Sequence, residues 1–142
     1  MLSNKSITEL ILEYKINHDT YIKGEVDCCI FVADIVKQLT GIDYAENLRN
    51  KYSTIPEHIK LIEKIGCKSI SDLPNILLKT KKKLGKEAKY SDVVYWEPNT
   101  ESEGMLGICN GARAYFFSLS GKLIAIPIEE CLYSWELPSS GS

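Results

Sequence analysis

Residues 24–36 read GEVDCCIFVADIV, an aspartate and two adjacent cysteines placed where an apolar run begins. Asp27 suits a helix N-cap, because its carboxylate can accept from the free N–H groups of the first turn. The run that follows stops at Gly41, a residue fitted to the left-handed turn that ends many helices. Projected at helical spacing, Cys28, Val32, Ile35 and Leu39 form one stripe, flanked by Cys29, Ala33 and Val36. Asp34, Lys37 and Gln38 mark the wet face, on which Ile30 also falls. The helix is therefore expected to face a sheet, with Cys28 at its N-terminal end.

That position has chemical consequences. Unpaired N–H groups and the positive end of the helix dipole stabilise a thiolate, the nucleophilic form of cysteine. The same N–H groups can hold an oxyanion formed on a carbonyl under attack. Cysteine is equally at home as a small buried apolar residue, and Asp27 needs no role beyond capping. A vicinal Cys28–Cys29 disulfide would demand strained geometry. A zinc site wants paired ligands two or more residues apart, whereas Cys67, Cys109 and Cys131 stand alone and His18 and His58 are far apart. The sequence thus implies no metal and no cofactor. His18 lies in a loop ten residues before Cys28; His58 shares a helical pattern with Ile55 and Ile59 and reads as a surface or core-edge residue.

Outward from this stretch, the first half is helical in pattern. Ser6-Ile7-Thr8-Glu9 and Thr54-Ile55-Pro56-Glu57 are capping boxes. The first opens a helix with Ile7, Leu10, Ile11 and Tyr14 on one face. The second opens one with Ile55, Ile59 and Ile62 inward and Gly66 behind it. Residues 71–80 predict a shorter helix with Leu73, Ile76 and Leu77 inward. The basic stretch KTKKKLGK, residues 79–86, reads as a solvated helix end and loop.

The second half changes period. Val93-Val94-Tyr95-Trp96 is a strand run, and Met105 to Cys109 is another. Asn110-Gly111 signals a hairpin into Ala112–Phe117, and Ser120-Gly121 a further turn into Lys122–Ile126. Pro127–Leu132 fits a brief helix, and Trp135 a core plug. Helices first and a strand meander second predict an α+β fold with N-terminal helices packed on an antiparallel sheet.

The chain has 142 residues, 44% of them hydrophobic, which fits one domain with an ordinary core. We expect a single domain over residues 1–137, followed by a polar tail, residues 138–142, that is disordered or artificially appended. A net charge of −2 makes no case for a nucleic-acid surface. No apolar run suffices to span a bilayer, and the first residues lack a signal-peptide pattern. Five cysteines without such a signal point to synthesis in a reducing cytosol.

Three stretches then resemble the NlpC/p60 superfamily. Tyr21-Ile22-Lys23-Gly24 followed by Asp27-Cys28-Cys29-Ile30-Phe31-Val32 is similar to its Tyr-x-x-Gly approach and Asp-Cys-Ser-Gly-Phe-Val helix. Ser91 to Trp96 looks like its Gly-Asp-Leu-Val-Phe-Phe strand, and Met105 to Gly111 like its His-Val-Gly-Ile-Tyr strand. The whole chain is similar to a compact phage and prophage group with an Asp-Cys-Cys helix, a Leu-Arg-x-x-Tyr-Ser segment (Leu48 to Ser53), a Leu-Gly-Ile-Cys strand and a late Trp, here Trp135.

The resemblance implies a papain-like fold, Cys28 as thiol nucleophile, and Tyr21, Asp27 and Met105 as neighbours in the binding site. It implies kinship with cysteine peptidases and amidases that cut cell-wall stem peptides. Partners would be peptidoglycan peptides or phage tail proteins, with synthesis in the bacterial host cytoplasm and residence in the virion. Met105 stands where the superfamily has its histidine, and the third polar position falls near the aromatic Tyr115 and Phe116. Hydrolysis is accordingly expected to be weak or absent, unless His18, His58 or a carboxylate such as Glu103 supplies a base. A non-catalytic virion module and an intracellular acyl-transfer or thiol-modifying enzyme are the other readings.

Overall fold

The computed structural model describes residues 4–98 and 104–138. Glu103 and the tail from residue 139 on lie outside the described residues. Three helices, α1 (Ile7–Asn17), α2 (Cys28–Thr40) and α3 (Ile55–Ile65), precede a one-turn α4 (Leu73–Leu77). Six strands follow: β1 (Lys83–Leu84), β2 (Val93–Trp96), β3 (Met105–Cys109), β4 (Arg113–Phe117), β5 (Leu123–Pro127) and β6 (Tyr133–Trp135). They form one antiparallel sheet in the order β1-β6-β2-β3-β4-β5. The fold is α+β, with the helices ahead of the sheet as their sequence patterns predict.

The helix starts follow the capping chemistry. The side chains of Ser6, Asp27 and Thr54 accept from Glu9, Ile30 and Glu57 backbone N–H groups, respectively. Gly41 and Gly66 end α2 and α3 in the left-handed conformation. At the β3–β4 hairpin the Asn110 side chain accepts from the N–H groups of Ala112 and Arg113, so three residues rather than two make the connection.

Helix α2 is the centre of the molecule. Nine of its 13 residues are buried, Ile30 among them. Of the expected wet face Lys37 and Gln38 are exposed, while Ile30 is buried and Asp34 half-buried, and residues 43–53 strap across the helix beside Asp34. Ala45 and Leu48 of the strap are buried, and Arg49 binds Asp34 of α2 at 2.6 Å and Asp43 at 2.9 Å. Tyr14 of α1 packs edge-on against Phe31. On the opposite flank α2 lies over β3, where Leu106 and Ile108 point toward the helices.

Four expectations need correction. In α3 the inward stripe is not Ile55–Ile59–Ile62: Ile55 and Ile59 are exposed, while Ile62 and His58 are buried. The buried face runs through His58, Leu61, Ile62 and Ile65, because His58 packs flat on Tyr52 of the strap. The segment 71–80 forms a 3-10 turn (Ile70–Asp72) and the five-residue α4, and Ile76 faces outward. The basic stretch is not only helix end and loop, since Lys83 and Leu84 pair with Ser134 and Tyr133. Finally the sheet is not a simple meander. β6 inserts between β1 and β2, fixed by the Trp135 indole N–H donating to Asn75 Oδ1 at 2.6 Å.

Candidate functional site

The N-terminus of α2 is the meeting point of three segments, and Asp27 joins them. Its side chain is buried and fully engaged. Oδ1 accepts from the Ile30 N–H at 2.9 Å, which caps the helix. Oδ2 accepts from the Gly24 N–H at 2.8 Å and from the Tyr52 hydroxyl at 2.6 Å. The approach to the helix is itself closed by paired backbone bonds between Ile22 and Val26. Gly24 turns that loop at φ +86°, and a Cβ there would strike the Tyr52 carbonyl. Its own carbonyl accepts from the Asn50 N–H at 2.9 Å. Asp27 is thus a three-way tie as well as a cap.

Tyr52 extends the cluster. Its ring stacks on the His58 imidazole, with centroids 3.9 Å apart and planes within 2°. Burial, with nearby Cys29 and Asp27, holds the Tyr52 phenol far above its usual range. Burial, aided by Lys23, pushes His58 down to about 4, against the opposing pull of Asp27. His58 is therefore neutral at pH 7. A surface cleft of about 230 Å³ opens beside Tyr52, lined by Lys23, Glu25, Asn50, Lys51, Ser53 and Glu57.

Cys28 is the first residue of α2, and both vicinal thiols are buried in the core with it. The hydrogen bond to Cys28, together with burial, holds the Cys29 thiol well above the usual range, so it stays protonated near neutrality. Cys29 also lines a cavity of about 40 Å³ enclosed by α2, the strap residues Tyr44, Ala45 and Leu48, residues 73–78 and the sheet. The sheet side of that cavity is Val93 and Leu106, both apolar.

Met105 begins β3, as the motif order requires, but its register is informative. It pairs with Trp96, so the two share a face of the sheet. That face carries Val94, Cys109, Ala114 and Phe116 and is turned away from α2. Met105 sits at the strand's start and touches both apolar clusters. The positions that look toward α2 are Leu106 and Ile108. Gly107 between them lets β4 close in, since a Cβ there would meet the Phe116 ring and the Tyr115 carbonyl.

Tyr21 lies beside the sheet, stacked at 6.2 Å on Phe117 of β4. His18 caps the C-terminus of α1, its ring against Tyr14 and its Nδ1 at 3.0 Å from the Tyr14 carbonyl. It lines a groove with Asp34, Lys37 and Gln38, along the C-terminal half of α2. The structure brings Asp27, Cys28, Cys29, Tyr52 and His58 into one neighbourhood, packs Met105 against the same apolar cluster, and leaves His18 in a separate groove. Sequence reasoning did not place Tyr52 in the site, and it read His58 as a surface or core-edge residue, whereas His58 is fully buried. The signal for His58 was present in the spacing 58, 61, 62, 65, a cleaner helical stripe than the isoleucines alone.

Among the described residues no group of three or more His, Cys, Asp or Glu side chains could hold a metal ion. No helix among them is long and apolar enough to cross a membrane. A domain family of unknown function, DUF6950, matches residues 11–137, and the chain belongs to it. No curated protein and no solved structure matches the chain.

Proposed function

We propose that this chain is a phage-type relative of the NlpC/p60 cysteine peptidases and amidases, with a papain-like arrangement and little or no hydrolytic power. It acts at the tail or on the host wall as a binding or structural module, with stem peptides or tail proteins as partners. Support for the kinship is the order of parts: an Asp-Cys helix start packed on an antiparallel strand pair, in the motif order of that superfamily. One observation carries the loss of activity. The first residue of β3, where the motif order puts the base, is Met105, which has no titratable group and shares a face with Trp96, and the β3 positions on the helix side are Leu106 and Ile108. A thiol without a general acid cannot readily protonate a leaving amine.

The measurement is product release from purified peptidoglycan fragments by the natural protein, Cys28→Ala and Met105→His. The expected result is release at background in all three. Met105→His fails because the new imidazole shares the Trp96 face and lacks an orienting partner. Robust release by the natural protein that disappears in Cys28→Ala overturns the reading and puts the base on a residue outside the motif.

A further inference from the structure

An antiparallel sheet ends in two edges, and an open edge offers unpaired N–H and C=O groups. Here the two edges differ. β1 is two residues long and runs straight into a 3-10 turn, Gly85–Glu87, so it offers almost no template. β5 at the other edge is five residues, Leu-Ile-Ala-Ile-Pro, with no charge in it. Ala125 at its centre is exposed.

The hydrogen bonds of the neighbouring turns fix which way each backbone group of β5 points. Ser118 donates its N–H to the Lys122 carbonyl, closing the β4–β5 hairpin. Bonded pairs alternate along an antiparallel ladder. With the observed register, Phe116–Ile124 and Ala114–Ile126 are then the bonded pairs. Phe117–Leu123, Tyr115–Ala125 and Arg113–Pro127 are the non-bonded ones. The other side of β4 agrees, because the Arg113 carbonyl accepts from Asn110 and so points toward β3. The N–H groups of Leu123 and Ala125, and the carbonyls of Leu123, Ala125 and Pro127, therefore face outward. Proline lacks only a donor that β4 would not have received.

We propose that β5 is the interface of a homodimer, in which two copies pair edge to edge, antiparallel, about a two-fold axis at Ala125. In that register each Ala125 N–H donates to the Ala125 carbonyl of the second copy. Each Leu123 N–H donates to the second copy's Pro127 carbonyl. Every outward donor of β5 is then satisfied, and the missing donor of Pro127 leaves only the Leu123 carbonyl over. Charge fits the same arrangement. β5 is flanked by exposed Lys122 before it and by exposed Glu129 and Glu130 after it. Two-fold antiparallel pairing brings the basic end of each strand to the acidic end of the other, whereas a parallel pairing would set like charges together.

The test is sedimentation equilibrium of the full chain over a range of concentrations. A reversible monomer–dimer equilibrium is expected. Ala125→Pro removes the central N–H without touching the β4 ladder, and should weaken the dimer by at least about tenfold. Lys122→Glu should weaken it too, and adding Glu129→Lys and Glu130→Lys to that variant should restore it. A chain that stays monomeric up to about 1 mM overturns the proposal. So does a dimer that a folded Ala125→Pro variant leaves unchanged, which would place the interface elsewhere. Should circular dichroism show Ala125→Pro unfolded, the charge series decides: weakening followed by restoration supports the proposal, and indifference overturns it.

Discussion

Helix α2 meets the rest of the chain in two opposite ways. At its N-cap the contacts are polar and directional: three hydrogen bonds on Asp27, with Tyr52 and His58 stacked beyond. Along its length they are apolar and non-directional, closing around a cavity to which α2, the strap, α4, Val93 and Leu106 all contribute. The thiols sit at the border of the two. The polar groups near them are tied up in holding loops together at the N-cap. The sheet side, where a thiol hydrolase of the proposed lineage would keep its base, is hydrocarbon.

The sharpest way to break this contrast is to remove Asp27. Asp27→Ala deletes a helix cap and leaves the buried Gly24 N–H and Tyr52 hydroxyl unpaired. The expected loss is about 3–5 kcal/mol in urea unfolding. A loss no larger than the ~1 kcal/mol of an ordinary N-cap would mean that the three segments are not tied there.

Next in size is acid sensitivity from His58. Its value is near 6.5 unfolded and about 4 folded, so between those limits the unfolded chain binds a proton that the folded one refuses. Stability from this group is complete above pH 6.5 and is lost as pH falls toward 4, by about 3 kcal/mol in all. His58→Phe keeps the stack on Tyr52 and should flatten the stability profile across that window. Asp43 and Glu57, held low by Arg49 and by Ser53 respectively, contribute acid sensitivity below it in both proteins. Profiles that stay parallel from pH 7 to pH 4 would show that His58 is not a desolvated imidazole.

The smallest effect is kinetic. Burial pushes Cys67, Cys109 and Cys131 up, the last to about 12, and the hydrogen bond to Cys28 with burial does the same for Cys29. Cys28, at the helix terminus, is expected to react first in a timed iodoacetamide reaction mapped by mass spectrometry. Labelling at Cys28 no faster than at the other four would make it an inert core thiol, on the apolar side of the comparison.

What the sequence showed and what it hid divides along the same line. Caps and turns are local chemistry, so Asp27, Ser6, Thr54 and Asn110 announced their roles directly. Strand existence was equally legible from composition at Val93–Trp96 and Met105–Cys109. The hidden parts depend on partners distant in the chain. Ile30 and Asp34 looked solvent-facing because nothing local says that residues 43–53 return across α2. The burial of His58 needs the Tyr52 ring. The far-face position of Met105 follows from its pairing with Trp96, since a shift of one residue would have reversed it.

The place of β6 in the sheet bears on how the molecule is made. β1 has no other strand partner among the described residues, and the Val93 and Tyr95 edge of β2 is covered only when residues 133–135 arrive. Residues 1–132 alone can supply the helices and the β2–β5 meander but not the strand that joins β1 to it. A released chain truncated before Tyr133 would keep that β2 edge as an open template, so it should be more prone to misassembly than the full chain.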